Sequence, residues 1–218
     1  MQVCGVDDAG RGPVIGPLVI AGIRLDKTRI PELKKIGVKD SKMLKREVRT
    51  RLSREILGIV DDHFIVELNV SELDKVVHIA PKLHRLNLLE AKAMATVIEH
   101  LKPNVAYVDA SDTKPKRFRD NILDCLSFRP RLISEHKADV IYPIVSAASI
   151  LAKVRRDERI DEIKRDYGDF GSGYVHDKRT ISYLYSYYMA HSDFPPIVRR
   201  SWVTLRNIVN DLYQSRLI

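Results

Sequence analysis

The chain has 218 residues, of which 44% are hydrophobic and 30% charged, enough for one main core and too much for a disordered chain. No apolar run reaches the roughly 18 residues that would span a bilayer, no basic stretch followed by an apolar one opens the chain, and the two cysteines, Cys4 and Cys125, form neither a disulfide framework nor a zinc spacing. The expectation is a cytoplasmic protein without a membrane segment, with both thiols buried; 37 Lys+Arg against 29 Asp+Glu, a formal charge of +8, favour a polyanionic partner, nucleic acid first.

In chain order, residues 2–6 and 14–25 read as two strands around a Gly/Pro turn, an opening hairpin. A Lys/Arg-rich connection follows, then a helical pattern through Leu52, Ile56 and Ile59 and a β-rich run over His63–Val70. Ser71-Glu72-Leu73-Asp74 offers a capping signal, and Leu86, Leu89, Ala93, Met94, Val97, Ile98 and Leu101 keep a helical period up to Pro103. A strand over Val105–Val108 ends at Asp109, residues 115–126 read as helix, Arg131–Ser134 as extended, and Pro143–Tyr167 as one long helix. Strands alternating with helices after an initial hairpin predict an α/β fold with a mixed sheet covered by helices. The texture changes after Gly168, with a Gly/Ser turn, the tyrosine-rich run Tyr183–Tyr188, the break Phe194-Pro195-Pro196 and a last amphipathic helix from about Trp202. The expected division is therefore 1–168 and an appended helical unit, 169–218, packed on it.

The chemistry gathers at predicted strand ends. Asp7 and Asp8 run into the turn Ala9-Gly10-Arg11-Gly12, Asp109 closes Tyr107-Val108, and Asp139 closes Lys137-Ala138. Carboxylates brought together at one edge of a sheet repel unless cations neutralise them, and two divalent ions about 3.5–4 Å apart both neutralise and support phosphodiester cleavage. Adjacent residues on a strand point to opposite faces, so Asp7 and Asp8 can share a site only where the chain turns. Lys42, Lys137, Lys153 and Arg156 lie in or near these motifs and are candidate phosphate contacts. Ser146-Ala147-Ala148-Ser149 reads as a small-residue face for close packing, the tyrosine run as core, and Asp40, Asp112 and Asp177 as turn or cap acids. His136 and His176 read as surface or capping residues.

Taken together, Gly5-Val6-Asp7-Asp8-Ala9-Gly10-Arg11-Gly12-Pro13-Val14-Ile15-Gly16-Pro17, Asp40-Ser41-Lys42, Tyr107-Val108-Asp109-Ala110, Lys137-Ala138-Asp139, Val145 to Asp157, Gly171-Ser172-Gly173-Tyr174 and Phe194 to Trp202 occur in an order that resembles ribonuclease H type 2 (ribonuclease HII) in its single-chain archaeal form. The resemblance spans the chain. It implies a ribonuclease H-like fold with a five-stranded mixed sheet and a C-terminal helical extension. It also implies an endonuclease acting on RNA/DNA hybrids and on ribonucleotides embedded in duplex DNA, cutting 5′ to the ribonucleotide and leaving 3′-hydroxyl and 5′-phosphate ends. Residue by residue, Asp7, Asp8, Asp109 and Asp139 would hold two Mg2+ or Mn2+ ions. Gly10, Arg11 and Gly12 would meet the ribose 2′-hydroxyl through backbone groups, and Tyr174 would pack on the following sugar. A monomer suffices for this. One position departs: the family has glutamate where this chain has Asp8, one methylene shorter. The implied consequence is reduced activity with Mn2+ favoured, since Mg2+ demands stricter geometry; the alternative is a hybrid-binding protein that no longer cleaves.

Overall fold

The computed structural model describes residues 1–38, 44–77 and 82–214, leaving aside the side chains at 82–84 and 212–214. The Asp40-Ser41-Lys42 motif, and with it the expected phosphate contact Lys42, lies outside the described residues.

A five-stranded sheet in the order β3-β2-β1-β4-β5 forms the centre. Strand β1 (Gln2–Ala9) pairs antiparallel with β2 (Leu18–Asp26), which pairs antiparallel with β3 (Asp62–Leu68). On its other side β1 runs parallel to β4 (Val105–Asp109), and β4 parallel to β5 (Arg131–Glu135). The mixed α/β sheet expected from the sequence is therefore present. The hydrophobic set splits with the two-residue period of the strands. Cys4, Val6, Ile20, Ala106 and Val108 face α4 (Lys82–Leu101) and α5 (Pro115–Leu123). Val3, Val19, Ala21, Ile23 and Val105 face α7 (Pro143–Tyr167), with α1 (Ile30–Lys35) and α2 (Arg46–Ile59) outside it.

Helix α7 starts with Pro143 at its first position and keeps residues 144–152 buried all round, because the sheet lies on one side and α1 and α2 on the other. Its first turn rests directly on β1 at Gly5, where a Cβ would stand 2.4 Å from the backbone C and O of Ile144. The small-residue face of this helix is packing surface, as expected: Ser146 and Ser149 are buried, and Ser146 donates to the carbonyl of Val38.

A third apolar cluster joins the chain's two ends. Val14 and Ile15 pack with Ile160 and with Phe170, Leu184, Phe194 and Leu205, contributed by the segment carrying α8 (Lys178–His191) and α9 (Val203–Gln214). Tyr183, Tyr185 and Tyr188 pack against it, in line with the core reading of the tyrosine run. Among the described residues no helix is long and apolar enough to cross a membrane.

Several local expectations are corrected. The first strand continues through Asp7 and Asp8 to Ala9, since β2 pairs with it as far as Ala9, whereas its pairing with β4 stops at Val6. Residues 14–17 leave the sheet: Ile15 bridges Val198 instead, so β2 begins at Leu18. The capping signal at Ser71 belongs to a separate helix, α3 (Val70–Val77), whose cap is Asn69. There the Asn69 side chain accepts from Glu72 N at 3.0 Å while Glu72 accepts from Asn69 N at 2.8 Å. The Lys/Arg-rich connection contains α1, started by Pro31, and a four-residue helix α6 (Ala138–Ile141) follows β5. Cys4 is buried but Cys125 is exposed, because α5 ends at Leu123 and leaves it on the following turn.

Candidate active site

The site lies at the carboxyl ends of β1 and β4. Asp7 is 5% exposed, sits on the α7 face and receives a hydrogen bond from Ser149. Asp8, one residue on, falls on the opposite face, where Ser111 Oγ donates to it at 3.4 Å. They bracket the end of the strand rather than sharing one side of it. Asp109 ends the neighbouring parallel strand within electrostatic range of both. Burial, then the charges of Asp8 and Asp109, push the Asp7 carboxyl well above the usual carboxylate range. Burial also raises Asp8, to about 6, with Arg11 pulling it down, Asp109 pushing it up and Lys153 opposing.

Asp139 reaches this edge through α6. Lys137 takes a left-handed conformation, φ 58°, which turns the chain out of β5, and the next amide, Ala138 N, donates to Asp109 Oδ1 at 2.7 Å. Asp139 follows at 4% exposure. Among the described residues, no group of three or more His, Cys, Asp or Glu side chains is already gathered as a metal-ligand set. The donor chemistry nonetheless fits a hard cation: the ligands are all oxygen, buried or half-buried, and their mutual repulsion in the ionised form is what a cation would relieve.

Beside Asp8 opens a cavity of about 330 Å3 lined by Gly10, Lys153, Arg156 and Tyr174, together with Arg49 and Asp157. Gly10 has φ 92°, and a Cβ there would stand 2.5 Å from Arg156 Cδ and 2.7 Å from Pro17 O, so only glycine fits the turn. Arg156 is buried at 6% exposure, stacks 5.1 Å from the Tyr174 ring centre, and has no hydrogen-bond partner for Nε or Nη2 among the described residues. Of the expected site residues, this cavity brings together Asp8, Gly10, Lys153, Arg156 and Tyr174. Lys137 is exposed and does not line it, and Gly12 lines a neighbouring apolar cavity with Arg11. His136 is exposed at the surface, its Nδ1 3.3 Å from Ala110 O, and His176 is an exposed neighbour of Tyr174, with ring centres 5.3 Å apart. Asp112 and Asp177 act as turn and cap acids, accepting from Lys114 N and Arg179 N respectively.

The Arg11 side chain turns inward. It donates to Ser111 O at 2.6 Å and Asn87 Oδ1 at 2.7 Å, and it lies 3.1 Å from Glu90. Glu90 and Arg199, both fully buried, are residues the motifs did not single out. A signal existed for Glu90: it stands on the apolar stripe of α4, four residues after Leu86 and three before Ala93. No such stripe marks Arg199, which lies outside any helix. Burial, then the Asp8 charge, push the Glu90 carboxyl up to about 8 against the opposing pull of Arg11. The folded state thus keeps a proton that the unfolded chain releases from about pH 4.5 upward, so stability falls as pH rises from there through about 8. Glu90→Gln removes this dependence. Its melting temperature should overtake that of the parent between pH 5 and 9, and parallel melting-temperature curves would refute the assignment.

A family model for ribonuclease HII matches residues 4–205. The chain belongs to the ribonuclease HII family. A ribonuclease HII from Pyrococcus horikoshii is 46% identical over 219 residues, covering 100% of this chain and 97% of the relative. The crystal structure of the ribonuclease H2 from that organism superposes with a TM-score of 0.89 over 98% of this chain and 99% of that one, at 46% identity. An Archaeoglobus fulgidus structure, a PCNA:RNase HII complex, matches with a TM-score of 0.83 and 39% identity, over 93% and 95% of the two chains. As a ribonuclease HII family member the protein is a metal-dependent hydrolase.

Proposed function

We propose that this protein is an endoribonuclease that hydrolyses the RNA strand of RNA/DNA hybrids and cuts 5′ to ribonucleotides embedded in duplex DNA, leaving 3′-hydroxyl and 5′-phosphate ends. The observation that carries the reading is the meeting of Asp7, Asp8 and Asp109 at one sheet edge, each within electrostatic range of the others, beside a cavity bounded by Gly10 and Tyr174. Asp7, Asp8, Asp109 and Asp139 would hold two divalent ions, Mg2+ or Mn2+. When bound, such ions activate a water and stabilise the leaving oxygen.

The protein's own groups do the rest. Lys153 and Arg156 offer positive charge to phosphates beside the cut, Arg156 from a buried position stacked on the Tyr174 ring. The 2′-hydroxyl distinguishes RNA from DNA, and backbone groups of Gly10, Arg11 and Gly12 receive it while the Tyr174 ring packs on the next sugar. Residues 1–168 form the catalytic part in this reading, and residues 169–218 supply Tyr174 and a further duplex-binding surface.

The test is cleavage of duplex DNA carrying one ribonucleotide, titrated with Mg2+ and Mn2+, against an all-DNA control. Metal-dependent nicking only at the ribonucleotide supports the proposal. Binding without nicking at any metal concentration favours the non-cleaving hybrid binder, and nicking of the all-DNA control a DNA-cutting nuclease. The same assay addresses Asp8. Its short carboxylate is drawn toward Ser111 and Arg11, so Asp8→Glu should raise the Mg2+-supported rate about tenfold, roughly 1.4 kcal/mol of barrier, and narrow the advantage of Mn2+. An unchanged Mg2+ rate would remove the idea that the missing methylene limits the enzyme.

A further inference from the structure

Arg199 stands more than 180 residues from the Gly10-Arg11-Gly12 turn, yet its guanidinium is spent on that turn and on Gly16 just beyond it. Nη2 donates to Gly10 O at 2.6 Å, Nη1 to Arg11 O at 3.0 Å and Nε to Gly16 O at 2.8 Å. The residue is 0% exposed, its guanidinium lies 5.0 Å from the Trp202 ring centre, and among the described residues no carboxylate forms an ion pair with it. A buried cation whose hydrogen bonds go to carbonyl oxygens, with the Asp74 and Glu90 carboxylates acting on it only at longer range, is an expensive way to hold a loop, and an apolar side chain would fill the same volume at less cost. What a guanidinium adds is geometry: three donors in a rigid plane that fix where three carbonyls point.

That geometry dictates the other side of the loop. In a trans peptide the C=O of one residue and the N–H of the next point in opposite directions. Drawing the carbonyls of Gly10 and Arg11 onto Arg199 therefore turns the N–H groups of Arg11 and Gly12 away from it, and neither donates to any described residue. Backbone pairings lock the arrangement to Tyr174. Arg199 N donates to Val14 O at 2.8 Å, Gly16 N to Ile197 O at 3.0 Å, and Val14 N to Gly173 O at 2.8 Å, one residue before the ring.

We infer that Arg199 is the positioning residue for ribose discrimination: it presents the Arg11 and Gly12 N–H groups as a fixed pair and holds them in register with Tyr174. The inference rests on the proposal that this turn and Tyr174 sense the 2′-hydroxyl, and it adds the group that sets their selectivity from outside the contact surface.

The test uses full-length parent, Arg199→Lys and Arg199→Met. For each, kcat and KM are measured on duplex DNA with one ribonucleotide, and the all-DNA duplex of the same sequence is titrated as a competitive inhibitor. The discrimination ratio is the inhibition constant of the DNA duplex divided by KM. A parent ratio near one would overturn the ribose-sensing reading itself. With a high parent ratio, the inference expects both variants to lose at least tenfold of it, with kcat falling and the affinity for the all-DNA duplex unchanged. Lysine, keeping the charge but not the fork, should not rescue it. A role in stability alone would lower the active fraction on every substrate and leave the ratio intact. Variants that melt cooperatively and keep the parent ratio within twofold would therefore overturn the inference, as would loss of the folded state in both.

Discussion

Asp7→Asn should abolish cleavage and at the same time raise the melting temperature of the metal-free protein. The two effects have one cause. The Asp7 carboxyl is buried between β1 and α7, and both that burial and its charged neighbours Asp8 and Asp109 oppose its ionisation. Because its folded pKa lies above its unfolded one, the group's contribution is most favourable below the unfolded value and is lost as pH rises. An amide keeps the shape and the hydrogen bond from Ser149 without the charge. At neutral pH the variant should therefore melt higher than the parent when chelator is present, and the gap should close as pH falls toward 4. Adding Mg2+ or Mn2+ should stabilise the parent, since a ligand bound only by the folded state shifts the equilibrium by mass action, and should stabilise the variant much less. The rate on a ribonucleotide-containing duplex should drop by about a thousandfold or more, as the variant loses the charge of a proposed metal ligand. A variant that cleaves within tenfold of the parent would take Asp7 out of the site.

Gly5→Ala should be the most damaging single methyl in the chain. Its Cβ would lie 2.4 Å from the C and O of Ile144 and 2.7 Å from Val145 N, all backbone atoms that no rotamer change can move aside. The first turn of α7 would have to lift from β1, opening the packing around Ile144, Val145 and Ala148. Overpacking of this kind costs about 3 kcal/mol or more, equivalent to a fall of roughly 6–12 °C for a domain of this size. Urea unfolding measures it directly, and a variant within 1 kcal/mol of the parent would show that helix and strand are not in this contact. Because Ser149 rides on the same helix behind Asp7, surviving protein should also lose activity.

The elements readable in the chain were those whose signal is periodic and local. Pro143–Tyr167 was fully legible because its proline start, apolar positions and Gly168 stop all agree. Asp109 was legible because a short β-branched run delivers it to a strand end. What escaped depends on partners far away. Strand β1 reaches Ala9 only because β2 pairs with it that far, which nothing in residues 2–9 announces. Val14 and Ile15 have the composition of a strand yet leave the sheet, since Gly173 and Arg199 take their backbone bonds and Ile15 bridges Val198. Asn69 lost the cap to Ser71 in the reading because both residues can cap, and only the reciprocal bond from Glu72 separates them. Arg199 could not be found from charge patterning at all, because a buried arginine looks like any surface one until its acceptors are known.

The lacing of residues 10–16 to 173 and 197–199 has a consequence for the order in which the molecule takes shape. On a ribosome, the sheet's five strands and α7 are all present once residue 167 has been made, so the carboxylate edge can assemble on an incomplete chain. The turn after Asp8 waits for a strap synthesised 189 positions later, a contact of very high sequence separation that pays its loop-closure entropy last. In the proposed reading selectivity is thus the final property the chain acquires, and damage to its last fifth would release a folded scaffold that has kept its acids and lost its means of choosing.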